Sequence, residues 1–284
     1  MTVSTSPSRR SRLVRWTRRS GWAAHIPLIL VAAATTFPFY VMIVTSLSTP
    51  GPFDLPGSLI PTKIDITPYI EALAGANLGR WFLNTVLFAG IGVVLTLFLA
   101  SLAGYAFAKK NFRGRDILFW MCVAVLMVPG QLYLIPQFIL ISRIGLVDTL
   151  AGLLLPGIAS VQALFLMRQF IRGIPDELLE AARIDGAGDF RIFFQIVLPL
   201  CGPVLATLGI FTFLWHWNEF LWPLIVTRSP ENYTLTLGLN SLKAQELSFN
   251  AEMAASVITL VPVVLVFLIF QRHFVRGVMT SGIK

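Results

Sequence analysis

Charged side chains divide this chain into long blocks. Residues 20–53, 81–108, 117–142, 149–167, 192–218 and 253–271 contain no Asp, Glu, Lys or Arg and are dominated by Leu, Val, Ile, Phe and Ala. A helix needs roughly 20 apolar residues to cross hydrocarbon, so the pattern predicts six membrane-spanning helices. They fall at about 22–46, 82–107, 117–141, 149–168, 197–225 and 253–271. Helices are expected rather than barrel strands, because a barrel strand alternates apolar and polar residues over about ten positions. A helix in lipid also satisfies its own backbone. The expected fold class is therefore an all-α polytopic membrane protein: one domain over 22–271, a basic tail at 1–21 and a short tail at 272–284.

Between the spans, 48–80 is crowded with Pro and Gly and reads as an irregular loop with one short helix near 67–74. "KKNFRGRD" (109–116) and "RIGLVD" (143–148) read as tight turns, and 226–252 is polar enough to leave the membrane. Prolines recur inside the spans; "VPGQLYLIP" (128–136) resembles a bend beside a polar path. The Ser/Arg-rich start reads as an orientation signal held near anionic lipid.

Composition agrees with the pattern: 56% of the 284 residues are hydrophobic and 13% are charged. The net charge of +8 has a topological explanation. With six spans both termini share one side, and that side collects the Arg-rich tail, Lys109, Lys110, Arg113, Arg115, Arg168, Arg172, Arg183, Arg191, Arg272, Arg276 and Lys284. The other side carries Lys63, Arg80, Arg143, Arg228 and Lys243. The positive-inside rule then places both termini in the cytoplasm, and no basic patch is left over for nucleic acid. The first apolar block exceeds the 7–15 residues of a signal-peptide core and is expected to be retained. Cys122 and Cys201 fall within spans and read as small buried hydrophobes.

The segment from 174 to 199 breaks the oily pattern. Pro175 and Asp176 open a helix whose first turn is expected to hold Glu177 and Glu180, where the positive end of the helix dipole favours acids. Asp185 and Gly186 end it, and a second helix begins near Asp189 and runs into the fifth span, bent near Pro199. Helical spacing puts Leu178, Leu179, Ala182 and Ile184 on one broad side, with Ala181 offering a small surface for close packing. Acids outnumber bases from 168 to 191, which suits a groove on a partner protein better than an anionic membrane.

Glu180-Ala181-Ala182, three residues, Gly186, nine residues, Ile196, one residue, Leu198-Pro199 matches without gaps the "EAA" signature of inner-membrane permease subunits of binding-protein-dependent ABC importers. "IPDELLEAARIDGA" (174–187) resembles the carbohydrate-uptake branch more narrowly, in particular the six-span member of its permease pair. So do 84–115, 127–156, 217–226 and the tail 270–284, although the tail ends in "VMTSGIK" where an alanine-rich ending is typical. The resemblance implies a translocation subunit in the cytoplasmic membrane of a bacterium or archaeon. It would pair with a second permease subunit, dock on two cytoplasmic ATPase subunits and receive a di- or oligosaccharide from an extracytoplasmic binding protein. Glu180, Ala181, Ala182, Asp185 and Gly186 would form a cytoplasmic coupling helix, continued by Ile196, Leu198 and Pro199. ATP and Mg would be bound by the ATPase partners, leaving this chain with no cofactor and no enzymatic activity. The chain has no GxxxxGK[S/T] phosphate loop, in keeping with that implication.

A sugar site needs aromatic faces beside groups that hydrogen-bond hydroxyls. "FLWHWNEFLW" (213–222) offers Trp215, Trp217 and Trp222 with His216, Asn218 and Glu219. Two readings stay open for it: a substrate path with Glu219 as its polar centre, or an interfacial aromatic belt with Glu219 satisfying backbone in a kink before Pro223. Gln131, Tyr133, Gln137 and Gln162 are further candidates, with interhelical hydrogen bonding as the competing role. Other classes fit less well. A self-contained secondary transporter needs ionisable groups at mid-span and usually internal repeats, and neither is visible. HExxH and GxSxG motifs are absent. Within the importer class, glycerol-3-phosphate or a polyol is the alternative cargo; the spans lack a basic anion site, which favours a neutral sugar.

Overall fold

The computed structural model describes residues 21–49, 60, 63–75, 77–242 and 247–281, with backbone only at 21–24, 75 and 271–281. The basic tail before residue 21, most of the loop between 50 and 62, Lys243 and the last three residues lie outside the described residues. Every regular element among the described residues is helical.

The chain divides into two compact units. The first comprises residues 1–69 and 248–257. It holds α1 (Gly21–Ser46) and the start of α13 (Phe249–Ser281). Most of α1 presents its apolar side chains outward, as lipid would require, and burial begins only at Val44, Thr45 and Ser46. There Asn250 Nδ2 donates to the carbonyls of Thr45 (2.9 Å) and Ser48 (3.2 Å), and the hydroxyls of Ser46 and Tyr69 meet at 2.9 Å.

The second unit comprises residues 70–247 and 258–284 and is organised around α3 (Leu78–Lys109), a continuous 32-residue helix. Its buried positions include Gly92, Thr96, Ala100 and Gly104, small residues four apart on one stripe. Small stripes let membrane helices approach closely. A Cβ at Gly104 would lie 2.9 Å from Met167 Cβ on α7 (Val161–Arg172), and one at Gly92 would lie 2.5 Å from His216 Nε2 on α10 (Gly202–Asn218). The short α2 (Thr67–Gly75) matches the helix expected near 67–74.

Three expected spans are broken, two of them where prolines mark a bend, at 128–136 and near Pro199. The stretch 117–141 is α4 (Arg115–Ala124) and a 3-10 turn, then a second 3-10 turn (Gly130–Tyr133) leading into α5 (Leu134–Arg143), with a bend of 100° between the halves. Val128, which precedes Pro129, is extended at φ −90°, ψ 120°, as crowding by a following proline ring requires. The stretch 149–168 is α6 (Leu150–Leu154) and α7, started separately by Thr149 and Ser160, whose hydroxyls cap the N–H groups of Gly152 and Ala163. Next come α8 (Asp176–Ile184) and α9 (Asp189–Leu200), and then α10, which meets α9 at 75°. The bend expected near Pro199 falls at Cys201. Pro203 lacks the N–H that would bond the Pro199 carbonyl, and a π-helical turn at Phe193–Val197 carries the chain toward Pro199. A further break at Glu219 and Phe220 separates α10 from α11 (Leu221–Val226).

By length and composition, His25–Ser46, Leu78–Lys109 and Phe249–Phe270 could each cross a bilayer. Counting each bent pair as one span gives at most five among the described residues, so six crossings are not confirmed by helix length. Two elements extend the expected outline. The polar stretch after 226 contains α12 (Leu235–Leu242), buried at Leu235, Leu237, Gly238 and Leu242, with Gly238 lying directly against the Trp81 ring. The final helix runs on to Ser281 instead of ending near 271.

Candidate functional site

At the end of the second unit that carries the 109–116 turn, α8 forms a short elbow. Pro175 precedes it, and Asp176 and Glu177 occupy its first turn; Glu180, expected there, lies in the next turn. Gly186 N–H bonds the Arg183 carbonyl (3.0 Å) and Ala187 N–H bonds the Ala182 carbonyl (2.9 Å), with Gly186 at φ +79°. This is a Schellman ending, which needs a left-handed residue just past the helix.

The broad apolar side expected for α8 is split. Leu179 is 2% exposed and, with partly buried Ala182, joins the core formed by Tyr105, Met167, Ile171, Ile192 and Phe193. Leu178 and Ile184 point outward, Ile184 being 87% exposed, and Ala181 is exposed beside them with Glu180. A nine-residue helix at 3.6 residues per turn cannot bring positions 178, 179, 182 and 184 onto one contact line. One edge docks the elbow; the other offers apolar and acidic groups to the outside. Asp185 ends the helix, Ile196 and Leu198 pack at the edge of the same core, and Pro199 follows the π turn.

The elbow is tied down by residues with no assigned role in the sequence reading beyond basic topology. Lys109 Nζ donates to the Ile174 carbonyl (2.5 Å) and to Asp176 Oδ1 (2.7 Å). Lys110 pairs with Asp189 and lies 5.3 Å from the Tyr105 ring centroid. Arg168 stacks 3.8 Å above the Phe119 ring, donates to the Phe107 carbonyl and sits 3.7 Å from Asp116.

Within 213–222 the candidates separate by exposure. Trp217 is buried, stacked on Phe213 at 5.2 Å, with its indole N–H on the Thr259 carbonyl (3.3 Å). Trp222 is buried beside Phe88 and Leu153 and bonds the Gly152 carbonyl (3.1 Å). His216 fills the notch left by Gly92 and lies near Gly157, with Nδ1 2.8 Å from the Thr212 carbonyl. Glu219 Oε1 accepts the Trp222 N–H at 3.2 Å, so it satisfies backbone in the kink before Pro223. Trp215 and Asn218 keep exposed surface, as do Gln131, Tyr133 and Gln162, while Gln137 is half-buried.

At the opposite end Asp148, left-handed at φ +63°, knots two turns together. Its carboxylate accepts from the N–H groups of Arg228 (2.9 Å) and Ser229 (3.1 Å) and from the Ser229 hydroxyl (2.5 Å), and its carbonyl accepts from Asn232 (2.8 Å). Burial alone would raise this carboxyl, but the donors at Arg228 and Ser229 outweigh it and hold it at about 2. Arg80, Trp81 and Asn84 bond the carbonyls of Glu231, Pro230 and Tyr233 from the other side. These partners lie about 80 and 150 residues away in sequence, which is why spacing did not reveal them.

Comparison with known proteins places this geometry. Residues 92–280 match the family described as binding-protein-dependent transport system inner membrane component. The arabinooligosaccharides transport system permease protein AraQ of Halalkalibacterium halodurans is 37% identical over 268 residues, covering 93% of this chain and 96% of that protein. The sn-glycerol-3-phosphate transport system permease protein UgpE of Yersinia pestis is 39% identical over 267 residues, covering 90% and 95%. Among solved structures, a chain of a bacterial ABC transporter involved in import of the acidic polysaccharide alginate superposes with a TM-score of 0.79 at 25% identity, over 95% of this chain and 100% of that one.

Proposed function

This chain belongs to the family of binding-protein-dependent transport system inner membrane components, and from that premise we propose how it works as the permease subunit of an ATP-driven importer. One of two cytoplasmic ATPase subunits seats α8 in a cleft, a second permease subunit completes the pathway, and an extracytoplasmic binding protein delivers a neutral di- or oligosaccharide. ATP and Mg belong to the ATPases. In this arrangement the α4–α5 pair, the α6–α7 stretch and the α9–α11 stretch each count as one crossing. That makes six in all, with the Lys109 end and both termini cytoplasmic.

The observation that carries the reading is the two-sided elbow. Leu179 and Ala182 fasten α8 to the bundle while Leu178, Ile184 and Glu180 face outward, and an apolar, acid-flanked helix face suits a groove on a soluble protein. Ile196, Leu198 and Pro199 continue the segment toward α10. The exposed faces of Trp215, Asn218, Gln131 and Tyr133 are the candidates for contact with sugar; Glu219, Trp217 and Trp222 support them through the kink and the core. Likeness to UgpE supports glycerol-3-phosphate as the second cargo reading.

Tagged purification followed by reconstitution tests this. The expected result is co-purification with a second permease and an ATPase, and import only when ATP and the binding protein are supplied. Transport by the isolated chain at full rate would establish a secondary transporter instead. Competition of labelled oligosaccharide import by glycerol-3-phosphate decides between the cargoes.

A further inference from the structure

We infer that Lys109 and Lys110 form a second, non-covalent linkage through which displacement of the coupling helix reaches α3, with Lys109 as its positioning residue; this rests on the coupling reading of α8. Besides the apolar seat of Leu179 and Ala182 and the short junction from α7, two routes lead from α8 into the bundle. The covalent one passes the Gly186 turn, then the π-helical turn at Phe193–Val197, then the 75° bend at Cys201 before α10 begins. Each of these is an interruption of the helical ladder, where a push is absorbed as a change of angle.

The second route has no such joints. Lys109 is the last residue of α3, and its ammonium bonds the Ile174 carbonyl and Asp176 on either side of Pro175, where α8 begins. Lys110, one residue on and already extended at φ −105°, ψ 143°, reaches Asp189 where α9 begins. Adjacent residues on one helix end therefore hold both flanks of the elbow.

Burial makes the Lys109 contact different from an ordinary surface ion pair. The Lys109 side chain is 6% exposed although that of Asp176 is 74% exposed. An exposed pair exchanges freely with water and contributes little. A covered ammonium has no such replacement and requires its partners to stay in register. Both bonds are charge-assisted, and the contact joins the negative end of α3 to the positive end of α8. Beyond it α3 runs unbroken for 32 residues, packed against α7 and α10.

The test uses the assembled complex in proteoliposomes with binding protein, reading sugar imported per ATP hydrolysed. Lys109→Met and Asp176→Asn should assemble normally and hydrolyse ATP, while import per ATP falls about fivefold or more. Lys109→Arg and Asp176→Glu, which keep the charges, should restore it, a recovery that loss of simple packing would not show. Asp176 is exposed and its loss opens no cavity, so Asp176→Asn decides alone if Lys109→Met fails to assemble. Ile184→Glu on the outward face of α8 is the control. If it abolishes the ATPase response to binding protein while Asp176→Asn imports with unchanged stoichiometry, the linkage is overturned and the coupling reading stands. If Ile184→Glu also behaves as wild type, the coupling reading itself falls.

Discussion

Gly186 and Asp148 both occupy the left-handed region, at φ +79° and +63°, and they meet its cost differently. Gly186 has no Cβ, and no neighbouring atom lies within 4 Å of where one would stand, so only backbone conformation demands glycine there. Gly186→Val should force the turn open at a strain of about 1–2 kcal/mol. The expected outcome is ATP hydrolysis in the complex with strongly reduced uptake, while membrane insertion, read by fractionation, stays normal. Asp148 tolerates its conformation because its short side chain recovers hydrogen bonds across the knot. Asp148→Ala should cost on the order of 2–4 kcal/mol through strain and lost charge-assisted bonds, seen as a lowered thermal midpoint of the purified chain. The pH dependence has a definite sign. A carboxyl held at about 2 when folded, against roughly 3.9 when unfolded, contributes stability above pH about 4 that is lost as the pH falls toward about 2. The midpoint difference between wild type and Asp148→Asn should therefore shrink over that window and stay constant from pH 5 to 7.

Helix α3 shows what periodicity makes legible at the scale of an element. Its length and place follow from an uninterrupted apolar block, and its stripe of Gly92, Thr96, Ala100 and Gly104 marks the packed side. Gly104→Val should push α7 away, since the added carbons meet Met167 Cβ and the backbone N of Arg168 at 2.9 and 3.1 Å. Overpacking of this kind costs about 1–3 kcal/mol. Gly90→Val, where nothing lies within 4 Å, is the matched control and should leave thermal stability unchanged. Hydropathy alone is a poor guide to continuity, and it is the prolines of 128–136 and Pro199 that mark two of the bends. Hydropathy sums over a window and is blind to Val128 turning extended, to Ser160 starting a new helix, and to Glu219 capping the Trp222 N–H.

For the whole molecule, the membrane class, the permease family and the boundaries of the elbow could be read directly, because apolar block length and the spacing from Glu180 to Pro199 are local properties of the chain. The clamp at Lys109 and the knot at Asp148 could not. Lys109 looked like one more topology charge until folding placed Ile174 and Asp176, more than 60 residues away, within 2.7 Å of its ammonium. Trp217 and Trp222 looked like stacking platforms, and packing absorbed both into cores.

The π-helical turn at Phe193–Val197 carries one more residue than an α-helix would use over the same rise. Excising a single amino acid there would restore the α-helical ladder and leave the downstream helix close to its present orientation, because the turn already takes up its extra residue within one revolution. The chain is thus length-tolerant at this spot: a one-codon loss would tighten the turn and keep α10 and its aromatic cluster facing α3.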